Sequence, residues 1–318
     1  MSKDQLRIGI LGSGYMGKTY AECLSKYTTR TKLVAVHGGR RAPGLAKDYG
    51  IDLVDTYQAL MKRPDIDAVI VATPPGNHTE QVVSAAEHGK HAMVEKPMAP
   101  TRQHCEQMIR AAEKAGVYLE VLQTQRWRSS NAAAKKTILE GKIGKVRMIR
   151  GHSLFTTYEG GGDWAKLPEH GGPHLDLNVH SYDMIRWLSG GEPTRVYADI
   201  KSFINHPLGR LTSMAELLFD NGVIAQQWSS MEMTEPSLPN SLFGFEVVGE
   251  KGIIDIDSYG KVRLGQGNDW TLITEFPKVD YMNKPMDPNR LQPFISAMQS
   301  FTDDILDHRP PTVAGRDG

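Results

Sequence analysis

Arg7-Ile8-Gly9-Ile10-Leu11-Gly12-Ser13-Gly14-Tyr15-Met16-Gly17-Lys18-Thr19-Tyr20 decides how this chain is read. Ile8, Ile10 and Leu11 run straight into Gly12, Gly14 and Gly17, and Lys18 to Ala21 continue in helix-compatible residues. The order is an apolar strand, a glycine turn and a helix opening. Gly12 permits a tight turn, Gly14 lets a backbone approach phosphates, and Gly17 lets helix and strand pack closely. The first turn of the helix then offers unpaired N–H groups to negative charge. A glycine-rich turn alone can be no more than a turn. With the strand before it and the helix behind, it reads as a dinucleotide site touched by Gly12, Ser13, Gly14, Tyr15 and Met16.

The chain of 318 residues has room for two domains of ordinary size. Its 37 Lys and Arg balance 37 Asp and Glu, which argues against nucleic acid or an anionic membrane as the main partner. An apolar content of 40% suits a chain with a substantial core. Cys23 and Cys105 lack metal or redox spacing and read as two reduced thiols. The N-terminus enters the first strand without an export signal, and no apolar run approaches the ~20 residues of a membrane span. A soluble, cytoplasmic protein is the expectation.

After the first helix, Lys32–His37 reads as a second buried strand. An NAD site usually places Asp or Glu at the end of this strand for the ribose 2′-hydroxyl. Here the strand ends in His37-Gly38-Gly39-Arg40-Arg41. Small residues leave room for a 2′-phosphate and two guanidiniums can neutralise it, so Gly39, Arg40 and Arg41 point to NADP, with NAD possible. The plain alternative is that both arginines are solvated loop charges. The spacing predicts a helix over Asp55–Arg63, a strand Ala68–Ala72, and a turn Thr73–His78 before a helix Thr79–His88. In a doubly wound sheet that turn faces the same crevice as the glycine loop, which makes Thr73, Pro74, Asn77 and His78 cofactor candidates. A strand His91–Glu95 ends in Glu95-Lys96-Pro97. A charged pair there must face the crevice or be buried at high cost. Lys96 can donate to a substrate oxygen, and Glu95 and Lys96 join the cofactor candidates, although a simple Lys–Glu pair at a strand end stays open. A helix Arg102–Ala115 capped by Gly116 and a strand Val117–Leu122 complete a parallel, doubly wound sheet.

From residue 126 onward the pattern changes. A helix Asn131–Glu140 precedes Val146–His152, and period-two strands then follow without helices between them, with hairpin signals at Phe219–Val223 and Asp257–Lys261. The expected fold class is α/β: residues 1–125 form the doubly wound unit, and residues 126–318 an α+β domain with an open, largely antiparallel sheet of about six strands. A late helix, Gln292–Asp307, should pack back on the first domain. Gly171-Gly172-Pro173 marks a helix start, and Asp176 and His180, four apart, share one face of that helix. A carboxylate and an imidazole so placed suit proton transfer near neutral pH. His174, Asp176 and His180 as metal ligands lack support for a third-ligand geometry, so no metal is assigned; a helix with a satisfied core histidine is the bland alternative.

The glycine loop, Thr73-Pro74 with Asn77-His78, Glu95-Lys96-Pro97, and Leu175-Asp176 with His180 occur in an order and spacing that resembles the Gfo/Idh/MocA family of NAD(P)-dependent oxidoreductases. The resemblance covers nearly the whole chain. It implies a Rossmann domain, a second domain whose sheet packs on another subunit as a homodimer or homotetramer, and hydride transfer to or from a hydroxyl of a sugar, polyol or cyclic diol. It makes Lys96, Asp176 and His180 the catalytic trio and raises the cis form for the Lys96–Pro97 bond. Arg126, Trp127, Phe155, Tyr158, Trp164 and His174 are substrate-pocket candidates. Two departures stand next to the trio: Gly-Gly-Pro replaces the usual three glycines, and Asn178 replaces a glycine, so both should alter the wall beside the reacting atoms. The chain ends at Val313–Gly318, where relatives continue into a last helix. Some relatives oxidise, eliminate and hydrolyse a glycoside with no net redox change, and a non-catalytic NADP-binding regulator is a third possibility.

Overall fold

The computed structural model describes residues 4–156, 167–205, 209–235, 242–280 and 283–318. In chain order they form β1 (Leu6–Leu11), α1 (Tyr15–Lys26), β2 (Thr31–His37), α2 (Ala42–Tyr49), β3 (Asp52–Leu53), α3 (Tyr57–Met61), β4 (Ala68–Val71), α4 (His78–Glu87), β5 (His91–Val94), α5 (Arg102–Ala115) and β6 (Leu119–Val121). There follow α6 (Ser129–Leu139), β7 (Val146–Leu154), α7 (Gly172–Ser189), β8 (Pro193–Lys201), β9 (Thr212–Phe219), β10 (Ile224–Ser230) and β11 (Phe243–Gly249). The series ends with β12 (Ile253–Asp257), β13 (Lys261–Gln266), β14 (Asp269–Glu275) and α8 (Pro288–Leu306). The chain divides into two units. One holds Met1–Thr124, Glu169–Gly171 and Lys284–Gly318; the other holds Gln125–Pro168 and Gly172–Asn283.

In the first unit all strands are parallel, in the order β3-β2-β1-β4-β5-β6. Continuous apolar runs such as Ala68–Val71 are buried at every residue because helices cover both sheet faces. Strand order reverses between β1 and β4, so their carboxyl ends open the crevice where doubly wound sheets bind ligands. Gly12 follows directly on β1. The helix α2 and the short β3 escape the sequence pattern because Pro43 and Gly44 read as a loop. Pro43 stands in the first helical turn, where its missing N–H costs nothing, and Gly50 ends the helix at a left-handed φ of 63°. Gly116 caps α5 in the same way, at φ 66°. The late helix starts at Pro288, four residues before the expected 292, because the Asp287 side chain accepts the Asn289 N–H and Pro288 occupies the first turn. It packs on α1.

In the second unit the sheet has eight strands rather than about six, ordered β14-β13-β12-β11-β7-β10-β9-β8. Only β7 and β10 run parallel; the other neighbours are antiparallel. The additional strand β14 is an edge with most residues exposed. One sheet face packs Ile149, Leu217, Ala225 and Phe245 against Met184, Ile185 and Leu188 of α7. That face turns polar toward the start of α7, where Ser153, Ser229 and Ser213 lie side by side across three strands, all buried. Among the described residues, no helix is long and apolar enough to cross a membrane.

At the edge of the first sheet, Val121 donates its N–H to the Val313 carbonyl at 3.1 Å, so a C-terminal segment covers β6. Glu120 beside it is 1% exposed, and among the described residues its carboxylate oxygens have no hydrogen-bond partner. Burial, and then the charge of Asp304, push its pKa from 4.5 up to about 8. A carboxyl raised in this way keeps its proton when folded but loses it when unfolded. Its stabilising contribution is therefore complete below pH 4.5 and disappears as pH rises to about 8. Glu120→Gln should lose less stability than wild type between pH 5 and pH 8, by on the order of 2 kcal/mol in urea titrations. Parallel losses in the two proteins would exclude this role for Glu120.

Candidate active site

The glycine loop is held by backbone contacts that leave no room for side chains. Gly12 has φ 104°, and a Cβ there would lie 2.4 Å from the Ala72 carbonyl oxygen of the neighbouring strand end. A Cβ on Gly17 would lie 2.1 Å from the Gly12 oxygen. Gly14 differs: it is exposed, and nothing lies within 4 Å of where its Cβ would be. No side chain caps the start of α1 and no acid stands in its first turn. The Ser13 hydroxyl is buried and has no partner among the described residues, 2.7 Å from where a Cβ on Gly39 would stand. Open space at Gly14, uncapped N–H groups and an orphaned hydroxyl fit a dinucleotide pyrophosphate. Tyr15 is 49% exposed at the same turn and Met16 is half-buried.

At the end of β2, Gly38 and Gly39 take φ of 90° and 82°. Arg40 and Arg41 are exposed and make no ion pair among the described residues, and no Asp or Glu follows β2 where an NAD site would place one. The His37 ring turns to the Val54 carbonyl at 2.9 Å.

In the turn after β4, the Thr73 hydroxyl donates to Gln81 at 2.7 Å, and Pro74 accepts the Asn77 N–H at 2.9 Å. His78 supports this turn from behind and its ring does not face outward. It is 0% exposed, with ring nitrogens 2.7 Å from the Thr73 carbonyl and 3.2 Å from that of Met98. Burial lowers its pKa, so the neutral ring gives its one N–H to the nearer carbonyl. His170, absent from the sequence-based set, accepts the Gly76 N–H on Nδ1 at 2.9 Å, and a Cβ on Gly76 would come within 2.8 Å of that nitrogen. The two are 94 positions apart, and no sequence signal links them.

The Lys96–Pro97 bond is cis. Glu95 is buried, with one carboxylate oxygen accepting the Tyr20 hydroxyl and the other the Lys96 N–H at 2.9 Å. Tyr20, a second missed residue, is fully buried, and desolvation beside the Glu95 charge holds its pKa well above the ordinary phenol value. The Lys96 side chain is half-buried at this anchored corner.

In the second unit, α7 carries Asp176, which is buried, and His180, which is half-buried one turn later on the same face. His174 is half-buried with Nε2 2.8 Å from the Ser213 hydroxyl, and desolvation lowers its pKa. Asn178 is buried on the same helix. It lies two positions from both Asp176 and His180, on another side of the helix, and is 1% exposed, with neither amide atom hydrogen-bonded among the described residues. Arg126 is buried and forks onto Asp183, with Nε at 3.0 and 2.9 Å from the two oxygens. Its guanidinium is committed to holding this unit together. Trp127 and Phe155 are half-buried, and the Phe155 N–H donates to the Ser230 carbonyl at 2.8 Å. Tyr158 and Trp164 lie outside the described residues.

Residues 6–123 match the model of an oxidoreductase family, Gfo/Idh/MocA, with an NAD-binding Rossmann fold, and residues 131–255 match that family's C-terminal domain. The chain belongs to the Gfo/Idh/MocA oxidoreductase family. Its relatives in that family include the 2,7-anhydro-N-acetylneuraminate hydratase of Mediterraneibacter gnavus, 34% identical over 190 residues, which are 59% of this chain and 50% of the hydratase. The chain thus spans half the length of that relative. The scyllo-inositol 2-dehydrogenase (NAD(+)) of Bacillus subtilis is 29% identical over 286 residues, 86% of this chain and 81% of the enzyme. A solved Gfo/Idh/MocA-like fold, the aldose-aldose oxidoreductase of Caulobacter crescentus complexed with glycerol, superposes with a TM-score of 0.83 at 26% identity, covering 98% of this chain and 93% of that one.

The glycines separate folding from ligand binding. Gly17→Ala should lower stability by about 1–3 kcal/mol, because the new methyl meets backbone. Gly14→Ala, at φ −70° with open space around it, should keep wild-type thermal stability yet weaken dinucleotide binding about tenfold or more in fluorescence titration. Unchanged binding by Gly14→Ala would remove the loop from the cofactor site.

Proposed function

We propose that this oxidoreductase is an NADP-preferring dehydrogenase or reductase that acts on a CH–OH group of a sugar, polyol or cyclic diol. The glycine loop carries the reading: its Cβ-free, uncapped first turn at the strand-order switch is built for a pyrophosphate. The inositol and aldose activities in the relatives' names support the substrate class. When bound, the nicotinamide supplies a hydride acceptor or donor. Oxidation of a CH–OH group also releases a proton from oxygen, and His180 takes it, because an imidazole changes charge near neutral pH. Asp176, one turn earlier, orients that imidazole or the substrate. Lys96 donates to the reacting oxygen and stabilises the negative charge that develops there. Trp127, Phe155, Tyr158, Trp164 and His174 line the substrate site in this reading, and Arg126 supports it through Asp183.

The preference for NADP rests on Arg40 and Arg41, exposed where an acid would serve NAD. The outward face of the second sheet exposes Met148 (52%), Met214 (60%), Ile224 (47%) and Tyr197 (72%), and we assign it to self-association as a homodimer or homotetramer. A second reading, redox-neutral elimination or hydration at an oxidised sugar carbon, draws on the name of the hydratase relative.

Reduced-nicotinamide absorbance should change steadily when NADP is offered with cyclic polyols, sugars and dihydrodiols. Product without net absorbance change favours the second reading. His180→Ala and Lys96→Ala should each lose at least about 100-fold in kcat while still binding cofactor, and undiminished turnover removes that residue from its role. Arg40→Ala with Arg41→Ala should abolish the preference for NADP over NAD; a tighter wild-type dissociation constant for NAD refutes it. Sedimentation of the purified protein as a monomer would exclude the assembly.

A further inference from the structure

Arg290 lies on α8 and is 4% exposed, yet among the described residues it has no ion-pair partner. Its guanidinium instead addresses α1 at Thr19, 271 positions away in sequence. Both terminal nitrogens donate to the Thr19 hydroxyl, at 3.3 and 3.2 Å, and Nη1 also donates to the Pro285 carbonyl at 2.6 Å. Thr19 in turn donates its hydroxyl proton to the Tyr15 carbonyl at 3.1 Å. The guanidinium carbon also sits 4.6 Å from the centre of the Tyr15 ring and 5.4 Å from that of Phe294.

These contacts form one relay, from a cation through a hydroxyl to the carbonyl of the residue that opens α1. A cation donating to the Thr19 oxygen makes its hydroxyl a stronger donor and tightens the bond to Tyr15. The turn so held is the one that offers uncapped N–H groups beside Gly14. A buried positive charge next to the positive end of a helix is unfavourable by itself and becomes favourable once an anion arrives. The Tyr15 ring, half exposed on one side and stacked on Arg290 on the other, is fixed as a wall of the same turn.

We propose that Arg290 is a positioning residue for the dinucleotide: through Thr19 and Tyr15 it sets the first turn of α1, and its charge draws the pyrophosphate to that turn. The inference rests on the cofactor reading above. Arg290→Met should raise the dissociation constant for NADPH about tenfold in fluorescence titration and raise KM for the cofactor more than it lowers kcat. The salt dependence of binding should also flatten, which loss of structural support alone would not cause. Arg290→Lys should recover part of the affinity by restoring charge. NADPH affinity and salt dependence equal to wild type in Arg290→Met overturn the proposal, whatever happens to thermal stability. If Arg290→Met does not fold, Thr19→Val, which keeps the guanidinium and cuts the relay, carries the test: weaker NADPH binding supports the proposal and unchanged binding overturns it. A wild-type protein that binds neither NADPH nor NADH overturns the cofactor reading itself.

Discussion

Backbone packed on backbone at Gly12 and Gly17 sets the geometry of the whole dinucleotide-binding unit. The missing Cβ atoms would lie 2.4 Å from the Ala72 oxygen and 2.1 Å from the Gly12 oxygen, so any side chain at either position must push strand from helix. Because they are absent, α1 starts directly above the end of β1, at the point where strand order reverses. Its first turn can then face a ligand with its N–H groups unspent. What surrounds that turn is organised to hold it still: the Gly12 N–H goes to the His37 carbonyl at 2.7 Å, and α8 lies along α1.

The other corners of this unit are stiffened by buried polar groups, each with a partner matched to its charge. Glu95 is held between a phenol and a backbone N–H, which fixes where Lys96 leaves the strand. His78 holds the turn after β4 through the Thr73 carbonyl, and His170 ties it at Gly76. None of these side chains needs to touch a ligand to matter. A hydrogen bond to a charged group contributes about 1.5–3 kcal/mol and a neutral one about 0.5–1.5 kcal/mol, and both keep neighbours in register.

In the second unit, one helix serves two purposes through its periodicity. Met184, Ile185 and Leu188 anchor the later turns of α7 in the apolar part of the core. The early turns lie on the serine-rich end of the sheet, where His174 meets Ser213. Asp176 and His180 are therefore carried on a helix whose far end cannot shift without opening the core. Arg126 and Asp183 brace the same helix by a buried fork.

The motifs with local causes were readable from the chain itself: the parallel strands from their unbroken apolar runs, the glycine loop from its spacing, the shared face of Asp176 and His180 from the four-residue interval. The family follows from their combination. The features that were not readable depend on partners distant in sequence or on burial. The α2 helix hid behind Pro43 and Gly44. Tyr20, His170 and Arg290 look like ordinary helix or loop residues until folding brings Glu95, Gly76 and Thr19 to them. Local residue pattern carries periodicity and turn chemistry, because those act within a few positions. The direction a buried side chain faces, and which charge it answers, depends on chain segments up to 271 residues away, and that is settled only when the sheets are built and their faces covered.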